Sequence, residues 1–135
     1  MPAFIDTNAI LDVTTHDPIW NQWSSHVINQ HAPGGLFINP FVYTELCIGA
    51  ESTEEVDAVI TKLRLSYVEL PASALFLAAK AFRDYRSRGG TKRSPLPDFF
   101  IGAHAKALGF PLITRDVKRY RTYFPEVPLI TPDPS

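Results

Sequence analysis

An α/β sandwich, with helices covering both faces of a central, mostly parallel sheet of four to five strands, is the architecture this sequence predicts. Three observations carry that reading. Short apolar runs of strand length alternate along the chain with longer segments of helical periodicity. The runs Phe4-Ile5, Leu36-Phe37-Ile38 and Leu112-Ile113 are apolar throughout rather than alternating, as strands buried on both faces are. Caps and breakers such as Asp17-Pro18, Pro33-Gly34-Gly35, Asn39-Pro40, Gly89-Gly90 and Gly109 punctuate the chain between them.

Taken in order, Phe4-Ile5 reads as a first strand ending at Asp6, with a helix from Thr7 or Asn8 to about Val13. Asp17 and Pro18 supply an N-cap and a first helical position, and Trp20, Trp23 and Val27 share one face of a helix reaching Gln30. Leu36–Ile38 is a buried strand, and Asn39-Pro40 opens a helix through Ile48. Ser52 and Glu55 form a capping box before the stripe Val56, Val59, Ile60 and Leu63. Tyr67–Leu70 is a strand, and a long helix runs from Pro71 to Arg88. A basic loop, Thr91–Ser94, precedes the helix Pro97–Leu108, which Gly109 caps. Residues 111–114 are a strand ending at Asp116, residues 117–124 a short basic helix, Val127–Ile130 a last strand, and Pro132-Asp133-Pro134 a tail.

The chain has 135 residues, the size of one domain, and the whole of it, residues 1–135, reads as such. It is 45% hydrophobic and 20% charged, so it can build a core without disulfides. The single cysteine, Cys47, lies in an apolar run and reads as core. The start of the chain lacks the pattern of a signal peptide, and no stretch approaches the ~18 apolar residues of a membrane span, so a cytoplasmic location is expected. The net charge of −1 conceals an asymmetry. Residues 1–61 hold eight acids and no Lys or Arg, a balance of −8. From residue 62 onward thirteen bases face six acids, a balance of +7. One half is suited to cations and the other to a polyanion.

Most of the acids sit where local structure alone accounts for them. Glu51, Glu54, Glu55 and Asp57 belong to the start of a capped helix, and Asp17 is a cap. Asp12, Asp84, Glu126 and Asp133 read as solvated. Four others stand apart. Asp6 and Asp116 each follow an apolar strand, and so mark strand carboxyl ends, where the sites of parallel sheets lie. As single residues they are better read as turn or cap aspartates. Glu45 and Asp98 sit in segments apolar nearly all round, Phe41–Ile48 and Leu96–Ala103, the pattern of buried helices. A carboxylate there needs a metal or a salt bridge, and no base is near either one in sequence, which leaves only a distant arginine for the second reading. If the four converge, oxygen-only ligands favour Mg²⁺ or Mn²⁺ over zinc, and a cation relieves their repulsion. His104 lies about 240° round the helix from Asp98, so it reads as structural, whereas His16, His26 and His31 read as surface residues.

Phe4-Ile5-Asp6-Thr7-Asn8 resembles the opening motif of PIN-domain nucleases. Glu45, within Asn39–Leu46, resembles the second acid of that family. Pro97–Ala105, with Asp98, resembles its third-acid helix, and Leu112–Asp116 its fourth-acid strand and turn. Each motif is weak alone, but the ordered set spans essentially the whole chain. The short length and the helix 71–88 are most similar to the VapC-like toxin subunits of type II toxin–antitoxin pairs. The resemblance implies a PIN-like α/β/α fold and a Mg²⁺-dependent endoribonuclease, with Mn²⁺ as a substitute ion. It also implies a homodimer and a small cognate antitoxin. Carried over, Asp6, Glu45, Asp98 and Asp116 become the metal-binding catalytic acids, with Thr7, Asn8 and Thr114 in support. The expected products are a 5′-phosphate and a 3′-hydroxyl.

Beyond the acids, RNA is expected along a basic track of Arg86, Arg88, Lys92, Arg93, Lys118, Arg119 and Arg121. The apolar surface of Ala74, Leu75, Leu77, Ala78, Ala79, Ala81 and Phe82 is broader than one core-facing stripe and suggests a two-fold contact. A partner helix is expected near Trp20 and Trp23, with a partner arginine or lysine reaching the acids. Two rival functions are compatible with parts of this pattern. A phosphatase of the haloacid dehalogenase type would use the aspartate after the first strand, but it needs a second aspartate where Asn8 stands. A noncatalytic RNA- or partner-binding module would keep the fold without needing four acids.

Overall fold

The computed structural model describes residues 1–93 and 96–132. Five strands, β1 (Ala3–Ile5), β2 (Leu36–Ile38), β3 (Leu65–Tyr67), β4 (Leu112–Ile113) and β5 (Leu129–Ile130), pair in the order β3-β2-β1-β4-β5. Every pairing is parallel. The connecting helices are α1 (Thr7–Thr14), α2 (Asn21–His31), α3 (Pro40–Ile48), α4 (Thr53–Lys62), α5 (Ala72–Ser87), α6 (Pro97–Leu108) and α7 (Lys118–Tyr123), with a 3₁₀ turn over Ala32–Gly34. Successive side chains of a strand point to opposite faces. Because Ala3, Phe4 and Ile5 are all fully buried, both faces of the sheet are covered at β1. Strand order reverses there: the chain builds outward through β2 and β3, then returns to the other side of β1 as β4 and β5. The crevice at the carboxyl ends of β1 and β4 is therefore the topological switch point, where α/β sheets hold ligands.

Local sequence sets the helix entries. Asn39, in extended conformation, accepts hydrogen bonds from Phe41 N and Val42 N through Oδ1, with Pro40 as the first helical residue of α3. The same side chain leaves its amide beside the buried His104, with Asn39 Nδ2 3.2 Å from Nδ1. The ring nitrogen must then accept, so the imidazole is neutral. Burial lowers its pKa to about 4. His104 thus fills the core against Phe4, ring centres 4.7 Å apart, and takes no part in the crevice.

The observed elements depart from the sequence reading at several points. The third strand lies at Leu65–Tyr67 rather than 67–70, because Arg64 in the left-handed region (φ 59°) turns the chain sharply after α4 and brings Leu65 into register with Leu36. The last strand is confined to Leu129–Ile130, and Val127 is instead a core residue of the preceding loop. α2 begins at Asn21, since Asp17 caps a separate turn by accepting from Ile19 N and Trp20 N. α3 is not buried all round: only Val42 and Leu46 are, and Ile48 is 81% exposed. Cys47 is only partly buried, packed against the core. Ser94 and Asp133 lie outside the described residues.

α6 is the most deeply buried helix, with Phe99 and residues 101–105 all buried, and it packs along α5. Its Gly102 is a contact point: a Cβ there would meet the ring of the buried Phe124 at 2.5 Å. Gly102→Ala should therefore destabilise by about 1–3 kcal/mol, because overpacking outweighs the ~1 kcal/mol that alanine gains as a helix former. Urea unfolding measures it, and a variant more stable than the wild type would contradict this packing.

Candidate active site

Asp6 is the residue after β1 and the N-cap of α1, in extended conformation, with Oδ1 accepting from Thr7 N at 2.8 Å. Its Oδ2 accepts from Thr114 Oγ1 (2.8 Å), Tyr120 Oη (3.1 Å) and Asn8 Nδ2 (3.3 Å). Four donors thus hold a carboxylate that is only 7% exposed. Burial nevertheless dominates and raises its pKa to about 6, with the charge of Glu45 adding to the rise.

The neighbouring groups are tied into the same network. Thr7 Oγ1 donates to Glu45 Oε1 at 2.6 Å, which joins α1 to α3. Thr114, buried at the end of β4, accepts from Asp116 N at 3.0 Å and from Asn8 Nδ2 at 3.3 Å, and Asn8 Oδ1 accepts from Arg115 N at 3.2 Å. The backbone turn carrying Asp116 is thereby pinned to the start of α1. Asp98 stands in the first turn of α6, where burial raises its pKa and the charges of Asp116 and Glu45 raise it further, against the pull of Arg119.

Asp6, Glu45, Asp98 and Asp116, drawn from four separate elements, line one cavity of about 770 Å³ together with Thr7, Asn8 and Arg119. The donor set is all oxygen, and the two carboxyls with raised pKa values are ones a divalent cation would hold ionised, so the chemistry fits Mg²⁺ or Mn²⁺. Among the described residues, however, no three His, Cys, Asp or Glu side chains are drawn together tightly enough to form a ready-made coordination shell. Asp98 is instead engaged by a salt bridge, with Arg119 Nε 3.4 Å from its Oδ2.

Several residues at the site were missed or misplaced by sequence reasoning. Tyr120 was one face of a basic helix in sequence; in the fold it is fully buried, with its hydroxyl on Asp6. Its signal was faint: it is the sole aromatic between Lys118 and Arg121. Burial and the surrounding carboxylates push its pKa well above the usual phenol value, so it remains a donor. Asp12, read as solvated, is 3% exposed and pairs with Arg115 through two hydrogen bonds of 2.7 and 2.9 Å, with Ser24 Oγ donating a third. Arg115 also lies 5.2 Å from the ring centre of Trp20, so that tryptophan is engaged within the chain. Trp23 packs against the core. Of the basic track, Arg119 enters the acid cavity itself. Arg88 lies over Tyr123, 5.5 Å from its centre, Arg86 donates to Lys92 O at 2.8 Å, and Lys118 lines an adjoining hollow that shares Asp116 with the acid cavity. Lys92, Arg93 and Arg121 are exposed.

Two outcomes are expected. Asp6 binds its proton more tightly folded than unfolded, so its contribution to stability is present at low pH and is lost as pH rises through about 6. Asp6→Asn should therefore stabilise the metal-free protein at pH 7.5, by on the order of 2 kcal/mol, and leave stability little changed at pH 4. Denaturant titrations at the two pH values measure the difference. Arg115→Met leaves Asp12 buried and unpaired and should cost ~3 kcal/mol. Asp12→Leu combined with Arg115→Met should recover much of that loss, and a thermal unfolding series reads both.

Known proteins share this architecture. The chain adopts the fold of VapBC2 from Rickettsia felis, solved bound to a DNA fragment from its promoter (TM-score 0.76, 19% identity, covering 98% of this chain and 100% of that one). It is similarly close to a toxin–antitoxin complex from Klebsiella pneumoniae (TM-score 0.72, 20% identity, 97% and 98% covered). FitAcB from Neisseria gonorrhoeae also matches (TM-score 0.68, 17% identity, 98% of each chain). No curated protein sequence matches the chain. The PIN domain profile matches residues 3–125, from the first residue of β1 to just past α7, and so takes in all four acids. On that match, the chain belongs to the PIN domain family.

Proposed function

We propose that this protein is a Mg²⁺-dependent endoribonuclease acting as the toxin of a type II toxin–antitoxin pair. The observation that carries the reading is the single cavity at the sheet's switch point, lined by Asp6, Glu45, Asp98 and Asp116. Membership of the PIN family and the fold shared with toxin–antitoxin complexes support it.

Bound Mg²⁺ supplies positive charge for the attacked phosphodiester and lowers the pKa of water. The four acids would hold the ion, and Mn²⁺ would serve in its place. Tyr120, Thr114 and Asn8 keep the Asp6 carboxylate oriented, and Thr7 does the same for Glu45. An ionised carboxylate of the cluster orients or takes the proton of the attacking water. Arg119 holds Asp98 in the metal-free protein and can turn to a phosphate oxygen, since its guanidinium stands at the cavity wall. Arg86, Arg88, Lys92, Arg93, Lys118 and Arg121 would carry the flanking phosphates. Cleavage leaves a 5′-phosphate and a 3′-hydroxyl.

A cognate antitoxin would inhibit by setting an arginine or lysine among the acids, as Arg119 already sets a guanidinium on Asp98. Of the apolar surface expected to form a two-fold contact, Ala74, Ala78 and Ala81 are buried within the chain and Leu77 and Phe82 pack against its core, so a homodimer would cover Leu75 together with the neighbouring Phe76, which are 46% and 62% exposed. A cytoplasmic location belongs to the same reading. Asn8, in the position where a dehalogenase-type phosphatase needs its second aspartate, instead donates to Asp6 and accepts from Arg115 N.

The test is cleavage of single-stranded RNA with and without Mg²⁺. Wild-type protein should cut only with the metal, and Asp98→Asn and Asp6→Asn should each lose about 10²-fold or more in rate while remaining folded. Cleavage by Asp98→Asn at the wild-type rate would reject the site. RNA affinity of the Asp6→Asn protein should fall steeply between low and high salt.

A further inference from the structure

Beside the acid cavity lies a second, smaller hollow of about 320 Å³, lined by Tyr85, Asp116, Lys118, Arg119, Thr122 and Tyr123. Asp116 and Arg119 border both hollows, so the two adjoin along that wall. Its volume is at the lower end of small-ligand pockets, which run ~300–1,000 Å³. Its composition differs sharply from that of its neighbour. Where the first holds four carboxylates, the second shares only that of Asp116 and sets it among two tyrosine rings, two cations and a hydroxyl.

The aromatic wall is held in place by contacts that do not depend on a ligand. Tyr85 and Tyr123 meet at 6.3 Å with planes 68° apart, and both pack edge-on against the fully buried Phe99, at 5.6 and 5.4 Å. Tyr85 Oη accepts from Lys92 N at 3.3 Å. The loop after α5 passes so closely that a Cβ on Gly90 would stand 2.3 Å from the Tyr85 ring. The Arg119 guanidinium carbon lies 5.7 Å from the centre of the same ring, which sets a flat cation against the aromatic wall. Both tyrosines remain partly exposed.

The geometry points to a nucleobase subsite: this hollow receives the base of a nucleotide flanking the phosphate held at the acids. Every base offers a flat π face to tyrosine rings and to an arginine plane, and Lys118 at the rim meets the connecting phosphate. The inference rests on the nuclease reading for the phosphate's position, but base recognition by the hollow is measurable without cleavage or metal.

The probes are adenosine 5′-monophosphate and ribose 5-phosphate, titrated into metal-free wild-type protein and followed by the ring resonances of Tyr85 and Tyr123. The nucleotide should bind about tenfold more tightly than the sugar phosphate, the size of one stacked base, and should shift both rings. Tyr123→Leu should bring the two ligands to parity and Tyr123→Trp should restore the preference. Thr122→Trp, an exposed position whose hydroxyl donates to Lys118 O, should abolish the preference by filling the hollow even if Tyr123→Leu fails to fold. Equal affinity for the two ligands, no binding of either at millimolar concentration, shifts confined to other residues, or a preference that survives Thr122→Trp would each overturn the subsite. RNA cleavage by a protein with no base preference would leave the nuclease standing and remove only the subsite. A base preference without cleavage would do the reverse.

Discussion

The carboxylate of Asp6 leaves water at the end of a strand that is covered on both faces, and the neighbouring structure is organised around keeping it there. A buried acid without partners would neutralise or unfold its surroundings. Here the donors come from three separate places: the first turn of α1, the end of β4 and the buried face of α7. The β1–β4 pairing brings Thr114 alongside, and Phe124 and Tyr120 fix α7 against α6 so that a phenol reaches the same oxygen. The hydrogen bonds lower the pKa of Asp6 but do not overcome burial, and that residual imbalance is what a cation in the proposed site would offset.

The other charges are distributed so that the acid cavity is not simply an excess of negative charge. Asp12 is neutralised by Arg115 under the ring of Trp20, on the far side of the Asp116 turn. Asp98 is met by Arg119 from α7. Arg115 and Arg119 therefore flank Asp116, one serving the scaffold and the other reaching into the cavity. The chain's acidic first half and basic second half, which are separate in sequence, interdigitate in space at this point.

How much of this was legible in the sequence depends on which interaction decides each residue. The parallel sheet was readable because a short run that is apolar at every position, bounded by turn residues, has to be covered on both faces, and the ordered motifs of the four acids located the cavity. The third strand was placed two residues too late because its start depends on Arg64 adopting a left-handed conformation, which no local pattern announces. The roles of Tyr120 and Asp12 were hidden for a different reason. Their partners are 114 and 103 residues away, and a polar residue on a short helix looks the same whether it faces water or a distant carboxylate. α3 was misread because a segment apolar all round need not be covered all round: Ile48 projects at the edge of the acid cavity.

The sheet order has a consequence for how the molecule comes into being. β1 is made first but occupies the centre, and one of its two neighbours is β4, more than a hundred residues later. During synthesis the early strands can pair among themselves, but Asp6 lacks Thr114 and Tyr120 until more than a hundred further residues have emerged. Contacts of such long sequence separation form late, because loop closure must precede them. A nascent or truncated chain thus carries its first acid without the groups that orient it. The order of the strands thus makes the first acid of the cavity depend on the last elements of the sheet.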